Sequence, residues 1–339
     1  MNKVLKRIIS LSVTCAMLLS ASGAFAAEFI DMPDNWTTSA LENAAKNGLL
    51  YGEEAVDGSG MKINPDDNIT RAQMAAIIVR AFGATETADI STYTDVDKNA
   101  WYYTELSKAV AMNAFRGDGD LMNPQNNITF QECFTVVSQI LQLQVYAEDT
   151  SVIEKFADYE DVAEWAVPYA AAVVGSGYWD GIDGKLLPKE YITRSQFAVL
   201  INNIADTYID EPGTYSEVGG KNVMVRSDNV VLSGGEMDNV IVGDGISKTV
   251  KIDGATVSNV IYVRGVNAAI TKNSTVNDII LLTPQATLNI GLIPKSIYRC
   301  HETNVTTFGV QEEIDAIKGE AEETEDKQEE ATEDTEVTE

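Results

Sequence analysis

Two arginines, Arg71 and Arg194, occupy the same place in a motif that the chain repeats. In both copies the arginine follows a Thr, and a Gln comes three residues after that Thr, ahead of an apolar run. This is the capping-box pattern of a helix N-terminus. The flanking residues are Thr70 and Gln73 in one copy and Thr193 and Gln196 in the other. Each arginine therefore falls at the first helical residue, where the helix dipole disfavours a cation. It is either a solvated side chain or part of an anion site formed with the helix N-terminus, and we favour the anion site.

A further copy of the motif keeps the cap without the arginine. Thr129 and Glu132 have the same spacing, and Phe130 stands in the arginine's place. The helix therefore does not require a cation at this position. We expect that Arg71 and Arg194 can be removed with little effect on folding.

Apolar residues follow each motif at four, seven, eight and eleven residues after the Thr. This spacing predicts three amphipathic helices with one face in the core. The residues are Met74, Ile77, Ile78 and Ala81, then Cys133, Val136, Val137 and Ile140, then Phe197, Leu200, Ile201 and Ile204. We expect Cys133 to be a buried thiol.

An earlier helix is predicted ahead of each of these three, starting at a Trp and closed by a turn with a Gly. An aromatic-x-Asp triplet precedes each Trp. The repeated residues are Trp36, Trp101 and Trp165, Gly52, Gly117 and Gly181, and Asp31, Asp95 and Asp158. We expect the Trp rings to fill the space at the helix start, with stacking on a sugar as the alternative. The Asp side chains are expected to cap the first helix or to orient a neighbouring group. The first copy is six residues longer around positions 53–60, which we interpret as a loop insertion.

The order of these features resembles the S-layer homology (SLH) domain, repeated three times across about residues 28–208. The resemblance implies three all-α lobes, each a helix pair, with grooves between them that bind an anionic secondary cell-wall polysaccharide. In Gram-positive bacteria this polymer usually carries pyruvate ketals. The family motif is usually Thr-Arg-Ala-Glu, and its Arg is taken to contact the polymer. This sequence has Gln for the Glu in two copies and Phe130 for the Arg in the other.

The family motif, together with the repeated Trp and Asp residues, gives a set of expected binding residues. The set is Thr70, Arg71, Gln73, Thr193, Arg194, Gln196, Trp36, Trp101, Trp165, Asp31, Asp95 and Asp158. No catalytic residue, metal ligand or cofactor is expected.

A different period begins after the helical repeats. The runs at 230–232, 250–252 and 270–272 are 20 residues apart and rich in Val and Ile, with Asn-containing runs between them. This period favours a parallel β-solenoid, in which each coil buries its face on the next. A small β-sandwich is the weaker alternative.

The composition indicates an acidic, exported chain. The formal net charge is −28, which argues against nucleic acid as a partner. Residues 1–26 combine three cations, an apolar run that contains Cys15, and Ala-Phe-Ala, as in a secretory signal peptide. No other stretch is long and apolar enough for a membrane span. Cys133 and Cys300 are too few for a disulfide scaffold, and His301 is the only histidine.

Together these patterns predict an α+β multidomain protein, in which an all-α trimer of SLH repeats precedes a short β-rich domain. The last segment is rich in Glu, Asp and Thr and is expected to be disordered. The predicted ranges are a signal peptide at 1–26, SLH repeats at 27–86, 87–148 and 149–210, a β-solenoid-like domain at 215–308, and an acidic tail at 311–339.

The predicted function is non-covalent anchoring of a secreted protein to the cell wall, with display of the β domain in the cell-surface layer. The predicted partner is the wall polysaccharide, with self-assembly as an open question. One alternative is a surface polysaccharide lyase or hydrolase that uses the β-solenoid; no cluster of Lys, Arg or His in that region supports it. The other is a tether between an outer membrane and peptidoglycan.

Overall fold

The computed structural model describes residues 29–143, 149–262, 267–282, 285–292, 294–299 and 304–307. The predicted signal peptide, the acidic tail at 311–339, Cys15 and Cys300 lie outside these ranges.

Each repeat contributes two α-helices. They are α1 (Thr38–Lys46) and α2 (Arg71–Phe82), α3 (Tyr103–Ala111) and α4 (Phe130–Leu141), and α5 (Val167–Gly175) and α6 (Arg194–Ile204). All twelve residues of the predicted apolar faces of α2, α4 and α6 are buried, which confirms the predicted stripe. Cys133 is fully buried as a free thiol. Three short 3-10 helices lie in the third repeat, at Thr150–Ile153, Tyr159–Asp161 and Glu164–Ala166.

The closest helix pairs join consecutive repeats. Helix α2 packs on α3, α4 on α5, and α6 on α1, so that the third repeat closes on the first. At the closing pair, Asn43 Nδ2 in α1 donates to Asn202 Oδ1 in α6 at 2.7 Å and to the carbonyl oxygen of Asp206 at 3.0 Å. Each pair thus combines two repeats.

Three isoleucines form the centre of this arrangement. The amide of Ile69 donates to the carbonyl of Ile192, Ile192 donates to Ile128, and Ile128 donates to Ile69, each at 3.1 Å. All three side chains are fully buried. The ring of hydrogen bonds relates the three motif copies by an approximate threefold axis. The residues two positions further on, Arg71, Phe130 and Arg194, therefore have equivalent places.

The helical region also contains short β-structure, so "all-α" does not describe it fully. Strand β1 (Glu53–Glu54) pairs antiparallel with β2 (Met61–Lys62). The hairpin holds the predicted six-residue insertion. The other two repeats have a tight turn at this place, closed by bridges from Asp118 to Leu121 and from Ile182 to Lys185.

The repeated Gly and the repeated aromatic residue explain each other. A Cβ on Gly117 would overlap the ring of Tyr93 and the carbonyl oxygen of Leu121. The other repeats have the same relationship, between Gly52 and Phe29 and between Gly181 and Phe156. Glycine is required here because a ring and a backbone carbonyl approach its Cα closely.

The β-region is a parallel β-solenoid of two six-stranded sheets. Its strands are β3 (Thr207–Ile209), β4 (Gly213–Tyr215), β5 (Asn222–Val225), β6 (Val230–Leu232), β7 (Glu236–Val242), β8 (Val250–Ile252), β9 (Thr256–Tyr262), β10 (Asn267–Ile270), β11 (Thr275–Leu281), β12 (Gln285–Ile290), β13 (Ser296–Arg299) and β14 (Asn304–Thr307). All pairs within these two sheets are parallel, and paired residues lie 16 to 20 positions apart, as in Thr207 with Val223 and Val240 with Val260. The predicted alignment of 250–252 with 270–272 is wrong, because Ile252 pairs with Ile270, 18 positions away. The parallel pairing confirms the solenoid over the antiparallel sandwich. Strand β3 starts three residues after α6, within the range predicted for the third repeat.

Side chains of equal type stack along the solenoid. Asn239 Nδ2 donates to Asn222 Oδ1 at 2.7 Å, and Asn259 Nδ2 donates to Asn239 Oδ1 at 2.9 Å. Such a ladder satisfies the side-chain amides of successive coils and fixes the register of strands β5, β7 and β9.

One face of the solenoid packs on the helical region. The row Met224, Ile241, Ile261 and Ile280 is buried and belongs to the same apolar cluster as the helix cores. Burial of this row stabilises the contact between the two regions.

Arg226 adds a polar connection at this contact. Its Nη1 donates to the carbonyl oxygen of Arg80 at 2.8 Å, and its Nε and Nη2 bind the two carboxylate oxygens of Asp210 at 2.6 and 2.7 Å. Arg80 is in the last turn of α2, where the helix dipole favours a cation.

Candidate functional site

Arg71 belongs to the first repeat but is held by the second. Its Nε donates to the carbonyl oxygen of Met122 at 2.9 Å, and its Nη2 donates to the carbonyl oxygen of Arg116 at 3.2 Å. The guanidinium carbon lies 5.3 Å from the ring centre of Phe115. Because the described part of the chain offers no partner to Nη1, the outer side of the guanidinium fork keeps free donors.

Arg194 repeats this geometry one step around the ring. Its Nε donates to the carbonyl oxygen of Ile63 at 2.7 Å, and its Nη2 donates to the carbonyl oxygen of Tyr51 at 2.8 Å. The arginine of the third repeat is thus held by the loop of the first. Both guanidinium groups are fixed by two backbone carbonyls before any ligand arrives.

Phe130 makes the equivalent place apolar. Its ring centre lies 5.3 Å from that of Trp179, which is buried and occupies the place that Phe115 has beside Arg71. An aromatic pair therefore replaces the guanidinium at the interface of the second and third repeats, and this interface has no cation at the motif position.

The helix N-terminus does not take part as expected. The amides of Arg71 and Ala72 donate to the carbonyl oxygens of Asn126 and Pro124, both at 2.9 Å. The amides of Arg194 and Ser195 likewise donate to carbonyls of the next loop. These amides are therefore not open to a ligand. The part of the anion hypothesis that gives the helix N-terminus a role is wrong, and only the guanidinium group is left to bind an anion.

The Thr and Gln residues of the motif form the predicted helix caps. The amide of Thr70 donates to Gln73 Oε1 at 2.9 Å, and the amide of Gln73 donates to Thr70 Oγ1 at 3.2 Å. Thr193 and Gln196 form the same reciprocal cap in α6. In α4, Glu132 Oε2 accepts from the amide of Thr129 at 2.8 Å. Capping accounts for these residues without a ligand.

The repeated Asp positions the loop that holds the arginine. Asp95 accepts the amides of Met122 at 2.8 Å and Asn123 at 2.6 Å, one on each carboxylate oxygen. Asp31 and Asp158 accept the equivalent pairs of loop amides, all at 2.8 Å. The expected capping of the first helix is wrong, and the expected orientation of a neighbouring group is confirmed. Asp95 orients the same residue, Met122, whose carbonyl binds Arg71.

The second loop residue of each pair has a left-handed backbone. Its φ is 49° at Asn64, 52° at Asn123 and 55° at Leu187. This conformation is unusual for a residue other than Gly, above all for Leu. The two hydrogen bonds from the loop amides to the Asp carboxylate help to hold it.

The charge state of the two arginines follows from their surroundings. Partial burial lowers the pKa of Arg71, while Glu132 and Asp95 act in the opposite direction. Partial burial also lowers the pKa of Arg194, against the effect of Asp67, Glu53 and Asp31. Because an arginine pKa lies far above neutrality, both side chains stay cationic.

A polar groove of about 770 Å³ lies beside Arg71. Its lining contains a second cation, a Tyr ring and several side-chain amides. The residues are Arg71, Arg116, Gly117, Asp118, Asn123, Gln125, Asn126, Asn127, Thr129, Glu132 and Tyr191. Sequence reasoning did not single out Arg116 or Tyr191 as site residues. The one available signal was that Arg116 directly precedes the repeated Gly117.

The three tryptophans have a different place from the one expected. The side chains of Trp36, Trp101 and Trp165 are 57%, 60% and 52% exposed, and each helix begins two residues later. The expectation that these rings fill the space at the helix start is wrong. Exposed rings of this kind are available for stacking, although none of them lines the groove beside Arg71.

The three helical repeats match a family of known domains. The model of the S-layer homology domain matches residues 28–75, 92–132 and 155–198. The chain carries three S-layer homology domains. Each match starts near the aromatic-x-Asp triplet and ends within the helix that follows the capping box.

Relatives of the chain are proteins of bacterial surfaces and some enzymes. The Surface-layer 125 kDa protein of Lysinibacillus sphaericus is 26% identical over 75% of this chain and 20% of its own length. The Cellulosome-anchoring protein of Acetivibrio thermocellus is 31% identical over 42% of this chain and 33% of its own length. The Exoglucanase XynX of the same species is 25% identical over 52% of this chain and 16% of its own length.

The alignment thus spans no more than a third of any of these three relatives. The S-layer homology domains and the surface-layer relatives agree with the predicted location at the cell surface. Across the described ranges, no helix is long and apolar enough to cross a membrane. The same ranges contain no group of three or more His, Cys, Asp or Glu side chains suited to a metal ion.

Proposed function

We propose that the three S-layer homology domains anchor this protein to the cell wall by binding an anionic wall polysaccharide at Arg71 and Arg194. The observation that carries the proposal is the fixed guanidinium. In both places two backbone carbonyls hold one side of the fork, and free donors remain on the other side.

Such a guanidinium suits a carboxylate. Arg binds carboxylates through two parallel N–H···O bonds, and a charge-assisted bond is about twice as strong as a neutral one. Because the carbonyls already hold the side chain, little rotational freedom is lost when the ligand binds. A carboxylate on a sugar, such as that of a pyruvate ketal, is the group that we assign to this place.

The groove beside Arg71 also provides contacts for the uncharged part of a sugar. Asn123, Asn126 and Asn127 present donors and acceptors for hydroxyl groups, and Tyr191 presents an exposed ring. The exposed rings of Trp36, Trp101 and Trp165 are proposed to contact the polymer outside the grooves. We assign Asp31, Asp95 and Asp158 to loop positioning, and the Thr and Gln residues of the motif to helix capping.

The β-solenoid is proposed to be the displayed part of the molecule, held on the anchor through the Met224 row and Arg226. Some relatives are named as glycosidases, such as the exoglucanase, but their similarity covers only a small part of those proteins. The absence of an enzymatic activity in this chain stays a prediction.

Co-sedimentation with cell walls tests the proposal. The chain without residues 1–26 is mixed with isolated wall sacculi, before and after the non-peptidoglycan polymer is removed by acid. We expect the protein to pellet with intact sacculi and to stay in solution with stripped ones. Equal pelleting with both would mean that peptidoglycan is the ligand, and no pelleting with either would contradict the anchor function.

A further inference from the structure

The residue before the repeated Gly differs in chemical type among the three repeats. It is Tyr51 in the first, Arg116 in the second and Asp180 in the third. The carbonyl group of Arg116 holds Arg71 and that of Tyr51 holds Arg194, so in these two repeats the residue stands beside the motif position of the repeat before it in the ring. In the third repeat Trp179, directly before Asp180, packs on Phe130. The motif position and this neighbour together set the number of cations at each of the three places.

The three combinations are unequal. The groove at Arg71 has Arg116 as neighbour and thus two cations, and its lining also contains the carboxylates of Asp118 and Glu132. At Arg194 the neighbour is Tyr51, whose exposed ring has its centre 4.4 Å from the guanidinium carbon of Arg80. The third place combines Phe130 with Asp180, an exposed carboxylate that binds Lys155 Nζ at 2.8 Å.

The charge of Arg116 is not neutralised by an ion pair. Its side chain is exposed and lines the groove, and within the described ranges no carboxylate lies within ion-pair distance of it. The nearby Glu132 already accepts hydrogen bonds from the amide and the hydroxyl of Thr129. A guanidinium in this position is open to a ligand anion.

We propose that Arg116 is a second anion-binding residue, and that the groove at Arg71 takes a polymer segment with two neighbouring negative charges. The groove at Arg194 then takes a singly charged segment, with the ring of Tyr51 against the sugar face. This inference rests on the proposed function and adds the class of ligand for each groove. It also makes the groove at Arg71 the more salt-sensitive of the two, because the exposed charge of Arg116 is screened there in addition to that of Arg71.

The test uses the full chain without residues 1–26 and, as probe, the acid-extracted anionic polysaccharide of isolated walls. Affinity is measured by calorimetry at about 50 and about 300 mM NaCl, where screening differs strongly. Arg116→Gln is compared with Lys98→Gln, which removes an exposed cation of the same repeat outside the groove lining. Both changes are repeated in two further backgrounds. Arg194→Ala keeps only the proposed site at Arg71 intact, and Arg71→Ala keeps only the proposed site at Arg194 intact.

In the parent and Arg194→Ala backgrounds, Arg116→Gln is expected to weaken binding about 3- to 10-fold, the range of an exposed charge-assisted contact, and to reduce the salt dependence. Arg116→Lys keeps the charge and recovers part of the affinity. In the Arg71→Ala background, Arg116→Gln has a clearly smaller effect.

Two results overturn the inference and separate it from the proposed function. If Arg116→Gln binds like Lys98→Gln while Arg71→Ala binds more weakly than the parent, the second cation has no role, but the anchor function stands. If the parent itself does not bind the extracted polymer, the proposed function fails and this inference fails with it.

Discussion

Arg194 in the third repeat donates a hydrogen bond from its Nε to the carbonyl oxygen of Ile63 in the first repeat, at 2.7 Å. The two residues are 131 positions apart in the chain, so the arginine connects the ends of the helical region. Arg71 makes the same connection to Met122. The expectation that these arginines can be removed with little effect on folding therefore has to be corrected, because they contribute to the assembly of the repeats.

Replacement of either arginine is expected to lower stability as well as binding. Arg71→Ala leaves the carbonyls of Met122 and Arg116 without their donor, which costs about 1–2 kcal/mol of the free energy of unfolding for partly exposed bonds. Arg194→Ala should cost a similar amount. Urea unfolding measures the change, with Lys98→Ala as an exposed control that should stay close to the parent. Unchanged stability in both arginine variants would show that the inter-repeat bonds contribute nothing.

Replacement of Asp95 tests whether it positions the loop. In Asp95→Asn, an NH₂ group replaces one carboxylate oxygen, so that a donor faces the backbone N–H of Met122 or Asn123. We expect the free energy of unfolding to fall by about 1–3 kcal/mol. Polymer affinity at Arg71 should fall as well, because the carbonyl of Met122 is displaced. Asp120→Asn, at an exposed place outside the groove lining, is the matched control. If both variants unfold at the same urea concentration as the parent, Asp95 does not hold the loop.

Cys133 should be unreactive in the native protein. Burial raises its pKa well above the ordinary value, so that the folded state favours the protonated thiol. The stabilisation that comes from the buried, protonated thiol is therefore fully present below about pH 8.5, the pKa of an unfolded cysteine, and is lost as the pH rises further. Reaction with a thiol reagent at pH 7.5 in a Cys300→Ser background measures the exposure of Cys133, and rapid labelling of that variant without denaturant would contradict the buried position. Cys133→Ala is expected to cost about 1 kcal/mol and to leave polymer affinity unchanged.

Arg226 is expected to hold the solenoid against the helices. Its side chain is 11% exposed, and Arg226→Gln removes the bidentate contact to Asp210 and the bond to the carbonyl of Arg80. Hydrogen exchange at the end of α2 and in strand β5 should become faster. Lys251→Gln breaks the more exposed pair with Asp253 and should have little effect. Equal exchange in the two variants would show that the apolar row alone fixes the contact.

The local elements of this fold could be predicted from the sequence. The capping boxes, the buried stripes and the repeating coils of the solenoid each depend on residues within one helix or one coil, and all three are confirmed, although paired residues of successive coils are 16 to 20 positions apart rather than a constant 20. Local hydrogen bonds and side-chain periodicity encode these features directly.

The site depends on contacts between repeats, and these were not predictable in the same way. Arg71 reaches a carbonyl 51 residues away, and Asp95 holds amides 27 and 28 residues away. Arg116 has no repeated chemical type that marks it. The tryptophans were misplaced because a Trp at a helix start is compatible with either a buried or an exposed ring, and the packing of neighbouring repeats decides between them.

The affinity of the Arg71→Ala, Arg194→Ala double variant for extracted wall polysaccharide tests the central claim most directly. Each single change is expected to weaken its own groove about 10- to 150-fold, the range of a charge-assisted bond to a carboxylate, and the double variant should no longer pellet with sacculi. Circular dichroism verifies that the variant is folded. A folded double variant that binds the polysaccharide as tightly as the parent would contradict the account.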